Sequence, residues 1–324
     1  MNKKIFSSAV ANFLEKNNLD KLSVTVLKND ASKRRYYRFN NYKKNVLLMD
    51  SSLEKKTISN FILISKWLIK KNFSAPSIYL KDKVHGLLLL EDFGLTKFSI
   101  ILKKKKNKKL FYYKKAIDTL IDLSEKKPPS FLKPYDKKAY IKELNIFLVW
   151  HLKYKKNNKG ISEWNIIWKN LLKKIDKNHT TLVLRDYHID NIFYLSKRKK
   201  IKDIGLIDYQ DALIGHPSYD LVSLLQDVRT FISQKDRKYL YNYYLSKTKY
   251  NLKEFRQTYL ILGTQRLIKI IGIFKRLTLQ ENKKAYIKFL PRTFKLLFEN
   301  LQDPIFSDLK EWIEKYRENV KKKK

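Results

Sequence analysis

The chain has 324 residues, 44% of them hydrophobic, with 21 Tyr, 18 Phe and 5 Trp, and a formal charge of +40. Such apolar and aromatic content excludes disorder, and the length allows a core large enough for two lobes. The absence of cysteine removes disulfides, thiolate metal sites and cysteine nucleophiles together.

No apolar run is as long as the ~18 residues a membrane span needs, so none is expected. The start, Met1-Asn2-Lys3-Lys4 followed by Ile5–Leu14, has the outline of a secretory leader. Ser7, Ser8 and Asn12 interrupt its apolar stretch, however, and Glu15-Lys16-Asn17-Asn18 offers no small-residue cleavage site. It reads as an amphipathic helix of a cytoplasmic protein. The charge invites a nucleic-acid reading. Against it, the excess is mostly lysine and is spread along the whole chain beside abundant Asn, Ile, Tyr and Phe, as an AT-rich genome would produce. Neither a specific nucleic acid nor a membrane is expected as a partner, and the charge favours anionic ligands.

In chain order, Lys21–Leu27, Arg34–Phe39 and Asn45–Asp50 read as strands separated by turns at Asn29–Lys33 and Asn40–Lys44. Leu53–Ile69 carries a helical period, and Ser74-Ala75-Pro76 then breaks the chain. Ile78–Leu80 and Gly86–Leu90 complete a small antiparallel sheet, which Glu91-Asp92-Phe93-Gly94 leaves as a connector. The lysine-rich run Ile101–Lys109 reads as a solvated loop. Leu110–Leu123 and Lys137–Lys153 read as helices, divided by Pro128-Pro129-Ser130 and Pro134. Glu143, Phe147 and Trp150 share one face of the second. The aromatics there belong to a core, while Glu143 needs a partner or points into a substrate cleft. Further on, Pro217–Val222 opens a helix with Asp220 in its first turn, where a carboxylate meets free N–H groups and the helix dipole. His216 serves the preceding turn. Leu252–Leu279 is a long apolar helix on which Gln265, Lys269, Gly272 and Arg276 form a polar stripe. Such a stripe is ordinarily a solvated side, although Gly272 permits close approach and Arg266 adds a second cation. Acids are scarce between 251 and 300, which argues against a cationic substrate. Pro291-Arg292 begins or kinks another helix.

The chemistry centres on Leu184-Arg185-Asp186-Tyr187-His188-Ile189-Asp190-Asn191, answered by Ile207-Asp208-Tyr209-Gln210-Asp211. An Asp, an Asn five residues later, and a second Asp behind an apolar strand meet the needs of phosphoryl transfer. That reaction requires a carboxylate to take the proton of the attacking hydroxyl, and oxygen ligands to hold Mg²⁺ on the nucleotide phosphates. Asp186 fits the first role, and Asn191 with Asp208 the second. His188 either contacts the transferred group or substrate, or braces its own loop. Thr181–Leu184, Ile192–Leu195 and Ile204–Ile207 are short apolar runs suited to strands that fix these loops. The sequence lacks a G-x-G-x-x-G loop and a Walker-type cradle, and Val46–Asp50 has no lysine to pair the phosphates. Ser32 with Arg34, Arg35 and Arg38 are the nearest replacements. Arg34 and Arg38 share one face, and Arg35 takes the other.

These features together resemble the aminoglycoside phosphotransferase and choline kinase superfamily. Within it the chain is most similar to bacterial anomeric kinases of N-acetylmuramate and N-acetylglucosamine used in cell-wall recycling. The resemblance rests on Asp30-Ala31-Ser32 with Arg34-Arg35-Tyr36, Met49-Asp50, Leu87–Leu90 with Glu91-Asp92, and the two catalytic segments with Ala212, Gly215 and Tyr219-Asp220-Leu221. Gln265-Arg266, Gly272, Phe274, Arg276-Leu277 and Pro291-Arg292 complete it. Where many relatives carry a histidine two places before the catalytic Asp, this chain has Leu184, at a position that braces rather than reacts. The resemblance implies an α+β, protein-kinase-like two-lobed fold: residues 1–92 as a nucleotide-binding sheet lobe, and 93–324 as a mostly helical lobe. It also implies ATP and Mg²⁺, a monomer, and transfer to the C1 hydroxyl of an amino sugar. The nucleotide set would be Ser32, Arg34, Arg35, Arg38, Glu91 and Asp92; the sugar set Asp211, Glu143, Gln265, Arg266 and Arg276. Other acceptors (homoserine, a methylthio-sugar, an aminoglycoside) and a catalytically silent kinase-fold binding protein remain as alternatives.

Overall fold

The structure is a computed structural model that describes residues 6–27, 33–40, 45–154 and 159–321. Contacts group residues 1–119 with 189–212 in one unit, and 120–188 with 213–324 in another. The stretch Leu184–Asn191 therefore passes from one unit to the other after His188.

In the first unit, helix α1 (Ser8–Lys16) precedes strands β1 (Val24–Leu27), β2 (Arg35–Phe39), β3 (Val46–Asp50), β4 (Ile78–Asp82) and β5 (Leu87–Glu91). They form one antiparallel sheet in the order β1-β2-β3-β5-β4. Alternation along the strands buries Tyr37, Phe39, Val46, Leu48, Leu87 and Leu89 on the face that receives Val10, Phe13 and Leu14 of α1. After β3 the chain makes a 3₁₀ turn, Ser52–Thr57, and continues as α2 (Ile58–Lys70). The lysine-rich stretch expected as a loop is largely helical: α3 spans Phe98–Lys104, with a 3₁₀ turn at Lys106–Lys108. Its reason is the pair Phe98 and Leu102, one turn apart and both buried, which anchors the helix while its lysines face water. Strands β7 (Ile192–Tyr194) and β8 (Ile204–Leu206) pair within this unit.

The second unit holds α5 (Lys137–Trp150), α6 (Lys159–Lys173), β6 (Thr181–Val183), β9 (Leu213–Gly215), α7 (Ser218–Leu225), α8 (Gln234–Ser246), α9 (Leu252–Gln280), α10 (Leu290–Asn300) and α11 (Ser307–Lys321), whereas α4 (Lys109–Ser124) runs across the division. Strand β6 pairs antiparallel with β9. Phe147, Trp164, Trp168, Ile271 and Trp312 contribute to its core. The polar stripe of α9 is inside rather than solvated: Gln265 is 0% and Lys269 6% exposed. Helix α5 lies along it so closely that a Cβ on Gly272 would come within 2.6 Å of the Phe147 backbone nitrogen. Among the described residues no helix is long and apolar enough to cross a membrane.

His151, just beyond α5, stacks on Phe147 at 4.9 Å and lies beside Phe294. Burial, with Lys275 adding to it, pushes its pKa down to about 4. A depressed histidine contributes stability above its unfolded value near 6.5 that is lost as pH falls toward the folded value. Linkage between these values puts the loss from this residue at about 2 kcal/mol by pH 5. We expect His151→Phe to remove that part of the decline, measured by denaturant midpoints of both proteins at pH 5 and pH 7.5. Parallel declines would exclude His151 as the cause.

Candidate active site

Two loops of the first unit come together through the β7–β8 pair. Ile207 donates its N–H to the Asn191 carbonyl at 3.2 Å, and Asn191 Nδ2 lies 3.3 Å from Asp208 Oδ2. Asp208 has φ +61°, a left-handed conformation that a residue with a side chain adopts at a cost. The next residue fixes this turn: Tyr209 is fully buried, stacks on Phe61 and has its hydroxyl 2.7 Å from Ser65 of α2. Gln210 Nε2 bonds Asp208 Oδ1 at 2.9 Å and the exposed Asp211 at 3.2 Å. Asn191 and Asp208 supply only oxygen ligands, the donor type Mg²⁺ takes, and a half-turn of the Asn191 amide presents Oδ1 toward Asp208. The pair fits that ion.

The three arginines separate clearly. Arg34 is 2% exposed and donates to Thr57 Oγ1 at 2.8 Å. Its Nε lies 3.6 Å from Glu54, and its Nη1 3.6 Å from Asp208 Oδ1. Arg38 makes a two-point ion pair with Asp92 and donates to the Gly94 carbonyl at 3.2 Å. Arg35 is exposed. Ser32 lies outside the described residues. In the connector, Glu91 binds Arg198 and the Ser77 hydroxyl. The N–H groups of Glu91 and Asp92 bond the Ser77 and Asn45 carbonyls.

In the second unit, β6 runs into Leu184, and Asp220 in the first turn of α7 accepts the N–H groups of Leu184 at 2.6 Å and Arg185 at 2.9 Å. Arg185, like Asp208, is left-handed, with φ +71°. Burial pushes Asp220 up to about 7 and the charge of Asp186 adds to this, against the pull of the two N–H bonds and Arg266. Asp186 itself is exposed, whereas His188 is buried.

The Arg185 side chain turns to Glu143, which also accepts from Tyr135 Oη and from Gln265 Nε2 at 3.0 Å, with Lys269 Nζ 3.5 Å away. Lys269 donates to Tyr219 Oη at 2.7 Å. Burial alone would raise the Glu143 pKa, but Lys269 and Arg185 outweigh it and hold the carboxyl below its usual range. Arg266 is 3% exposed and Arg276 half-buried. Sequence reasoning missed Glu54 and Thr57 as partners of Arg34, and Arg185 and Lys269 as partners of Glu143. The one signal for the last was that Lys269 falls four residues after Gln265 on the same stripe.

An N-acetylmuramate/N-acetylglucosamine kinase of Caulobacter vibrioides is 27% identical over 349 residues, covering 95% of this chain and 96% of its own. One of Pseudomonas aeruginosa is 28% identical, covering 83% of this chain and 80% of its own. A choline/ethanolamine kinase family protein from Mesorhizobium loti shares the fold: TM-score 0.65 at 12% identity, over 93% of this chain and 96% of that one. Residues 23–255 match the sequence profile of the phosphotransferase enzyme family, and the chain belongs to that family as a small-molecule kinase.

Proposed function

We propose that this enzyme uses ATP to phosphorylate the anomeric C1 hydroxyl of a cell-wall amino sugar, N-acetylmuramate or N-acetylglucosamine, as a cytoplasmic monomer. The names of relatives matched over 96% and 80% of their own length support the sugar. The observation that carries the chemistry is the left-handed turn at Asp208, set beside Asn191 and the buried Arg34. Backbone strain of ~1–3 kcal/mol persists only where the surrounding structure over-determines it, and it clusters at active sites.

In this reading residues 1–92 serve the nucleotide, and 93–324 carry the catalytic segments and the sugar. Asn191 and Asp208 would hold Mg²⁺, which would supply positive charge against the phosphates. Arg34 pairs with the phosphates, and Ser32 with its turn adds donors. Arg38 and Asp92 fix the connector whose backbone meets the adenine, together with Glu91, and Arg35 meets solvent. Asp186 orients the sugar hydroxyl and takes its proton as the new O–P bond forms and the bond from the γ-phosphorus to the β–γ bridging oxygen breaks, releasing ADP. His188 braces the loop on which Asp186 stands. Glu143, Gln265 and Asp211 serve the acceptor, Arg276 adds a cation for an anionic sugar, and Arg266 steadies Asp220.

The test is ATP consumption against N-acetylmuramate, N-acetylglucosamine, homoserine, a methylthio-sugar and an aminoglycoside, with the phosphate position read by NMR. Turnover with an N-acetyl amino sugar and phosphate on C1 is expected. Turnover with another acceptor alone, or phosphate on another carbon, would overturn the substrate assignment. Nucleotide or nucleic-acid binding with no turnover would favour a silent scaffold.

A further inference from the structure

Outside the catalytic segments, three metal-ligand side chains meet at one end of the β6–β9 ladder. Its register pairs Thr181 with Gly215, so the residues just before β6 and just after β9 are neighbours. His216 directly follows β9, His179 stands two residues before β6, and Asp176 precedes His179 in the connector from α6. One ligand atom from each lies within 4.8 Å of the others.

Both imidazoles converge on a single oxygen. Asp176 Oδ2 is 2.5 Å from His179 Nδ1 and 3.5 Å from His216 Nε2. The first is a hydrogen bond; the second is too long for one, and His216 Nε2 is buried without a hydrogen bond. A buried imidazole nitrogen left so is costly. Tetrahedral zinc, with bonds of about 2.0–2.1 Å, keeps its donors roughly 3.3 Å apart. The His216 spacing already matches that, and the His179 contact needs to open by about 0.8 Å.

The surroundings orient the donors as metal ligands require. Asp176 Oδ1 accepts the Asn178 N–H at 2.8 Å, and the Asp176 N–H bonds Thr258 Oγ1 at 2.9 Å. His216 Nδ1 has the Ser218 hydroxyl at 2.8 Å and the Ser218 N–H at 3.2 Å. The Ser218 N–H donates to Nδ1, so in the metal-free chain Nε2 carries the ring proton toward Asp176; zinc at Nε2 requires that proton to move to Nδ1, where the Ser218 hydroxyl can accept it. The His179 ring packs edge-on against Tyr250 at 4.7 Å, and its side chain is 36% exposed, which leaves a route from solvent.

We propose that Asp176, His179 and His216 bind one divalent transition-metal ion of the zinc type, with water in the fourth position. Two nitrogens and one carboxylate suit Zn²⁺, whereas Mg²⁺ and Ca²⁺ prefer all-oxygen sets. The ion's task is structural. It ties the entry of β6, the strand leading to Leu184–Asp186, to the exit of β9, from which α7 brings in Asp220.

The full chain, stripped with chelator and dialysed, is titrated with ZnCl₂ by calorimetry and followed by thermal unfolding. One equivalent of zinc and a raised unfolding midpoint are expected, both for the natural chain and for Asp208→Asn, which takes the negative charge from the proposed Mg²⁺ pair. His179→Gln, at a partly exposed position that spares the fold, should weaken zinc binding at least about tenfold and abolish the midpoint shift. His216→Asn should do the same. Absence of a bound equivalent, loss of it in Asp208→Asn alone, or unchanged affinity in His179→Gln and His216→Asn would each overturn the proposal.

Discussion

Replacing Asp186 by Ala is expected to lower kcat by about 10²–10⁴-fold, the usual worth of a positioned general base. Affinity for Mg²⁺–ADP should be unchanged, because the residue's assigned task begins only when the acceptor hydroxyl gives up its proton. The argument rests on what holds the turn. Its backbone is fixed by Asp220, which takes the N–H groups of Leu184 and Arg185, and by the Asp186 N–H on the Leu184 carbonyl at 2.9 Å. These supports survive truncation at Asp186, so the loss should be chemical rather than conformational. Asp186→Asn keeps the shape but cannot take a proton, and should fall as far as the alanine variant. Steady-state kinetics with N-acetylmuramate and calorimetry with Mg²⁺–ADP separate the two effects. Normal turnover by Asp186→Ala would sink the assignment.

What was legible in the chain followed from distance along it. The five strands of the sheet were readable because alternation and turn residues act over a few positions, and their antiparallel order follows from short connections. Asn191 and Asp208 were readable because each ends or begins a short apolar run. The strand Leu213–Gly215 was not, because Gly215 ends its apolar run directly after Leu213 and Ile214. The lysines of 101–109 outweighed a helical signal carried by Phe98 and Leu102, one of which lies before that run. A polar stripe on α9 looks the same whether water or a carboxylate faces it. Only the approach of α5, with Glu143 opposite Gln265 and Lys269, shows that it is internal. The choice among Arg34, Arg35 and Arg38 likewise depended on partners about twenty or more positions away, beyond any local pattern.

Arg34→Ala is expected to lower kcat/KM for ATP by about 10²–10³-fold, the cost of removing one preorganised cation or donor from a reacting phosphate or oxyanion. Arg34 is the only one of the three arginines that is buried and placed between two carboxylates, Glu54 and Asp208. In the proposed reading a guanidinium there would do what a strand lysine paired with a helix acid does, with Glu54 and Thr57 aiming it at the nucleotide phosphates. Truncation also leaves Asp208 beside Glu54 with less positive charge, so Mg²⁺–ADP affinity should change along with turnover, unlike in Asp186→Ala. Arg34→Lys keeps the charge but loses the planar fork, and should fall between the natural chain and the alanine variant. Arg35→Ala should behave as the natural chain, because that residue faces solvent. Arg38→Ala breaks the pair with Asp92 and should lower the unfolding midpoint more than kcat. Kinetics against ATP, with a melting curve for each variant, order the three. A loss carried by Arg35 and spared by Arg34 would move the phosphate contact to the other face of β2, and with it the side of the strand on which the nucleotide lies.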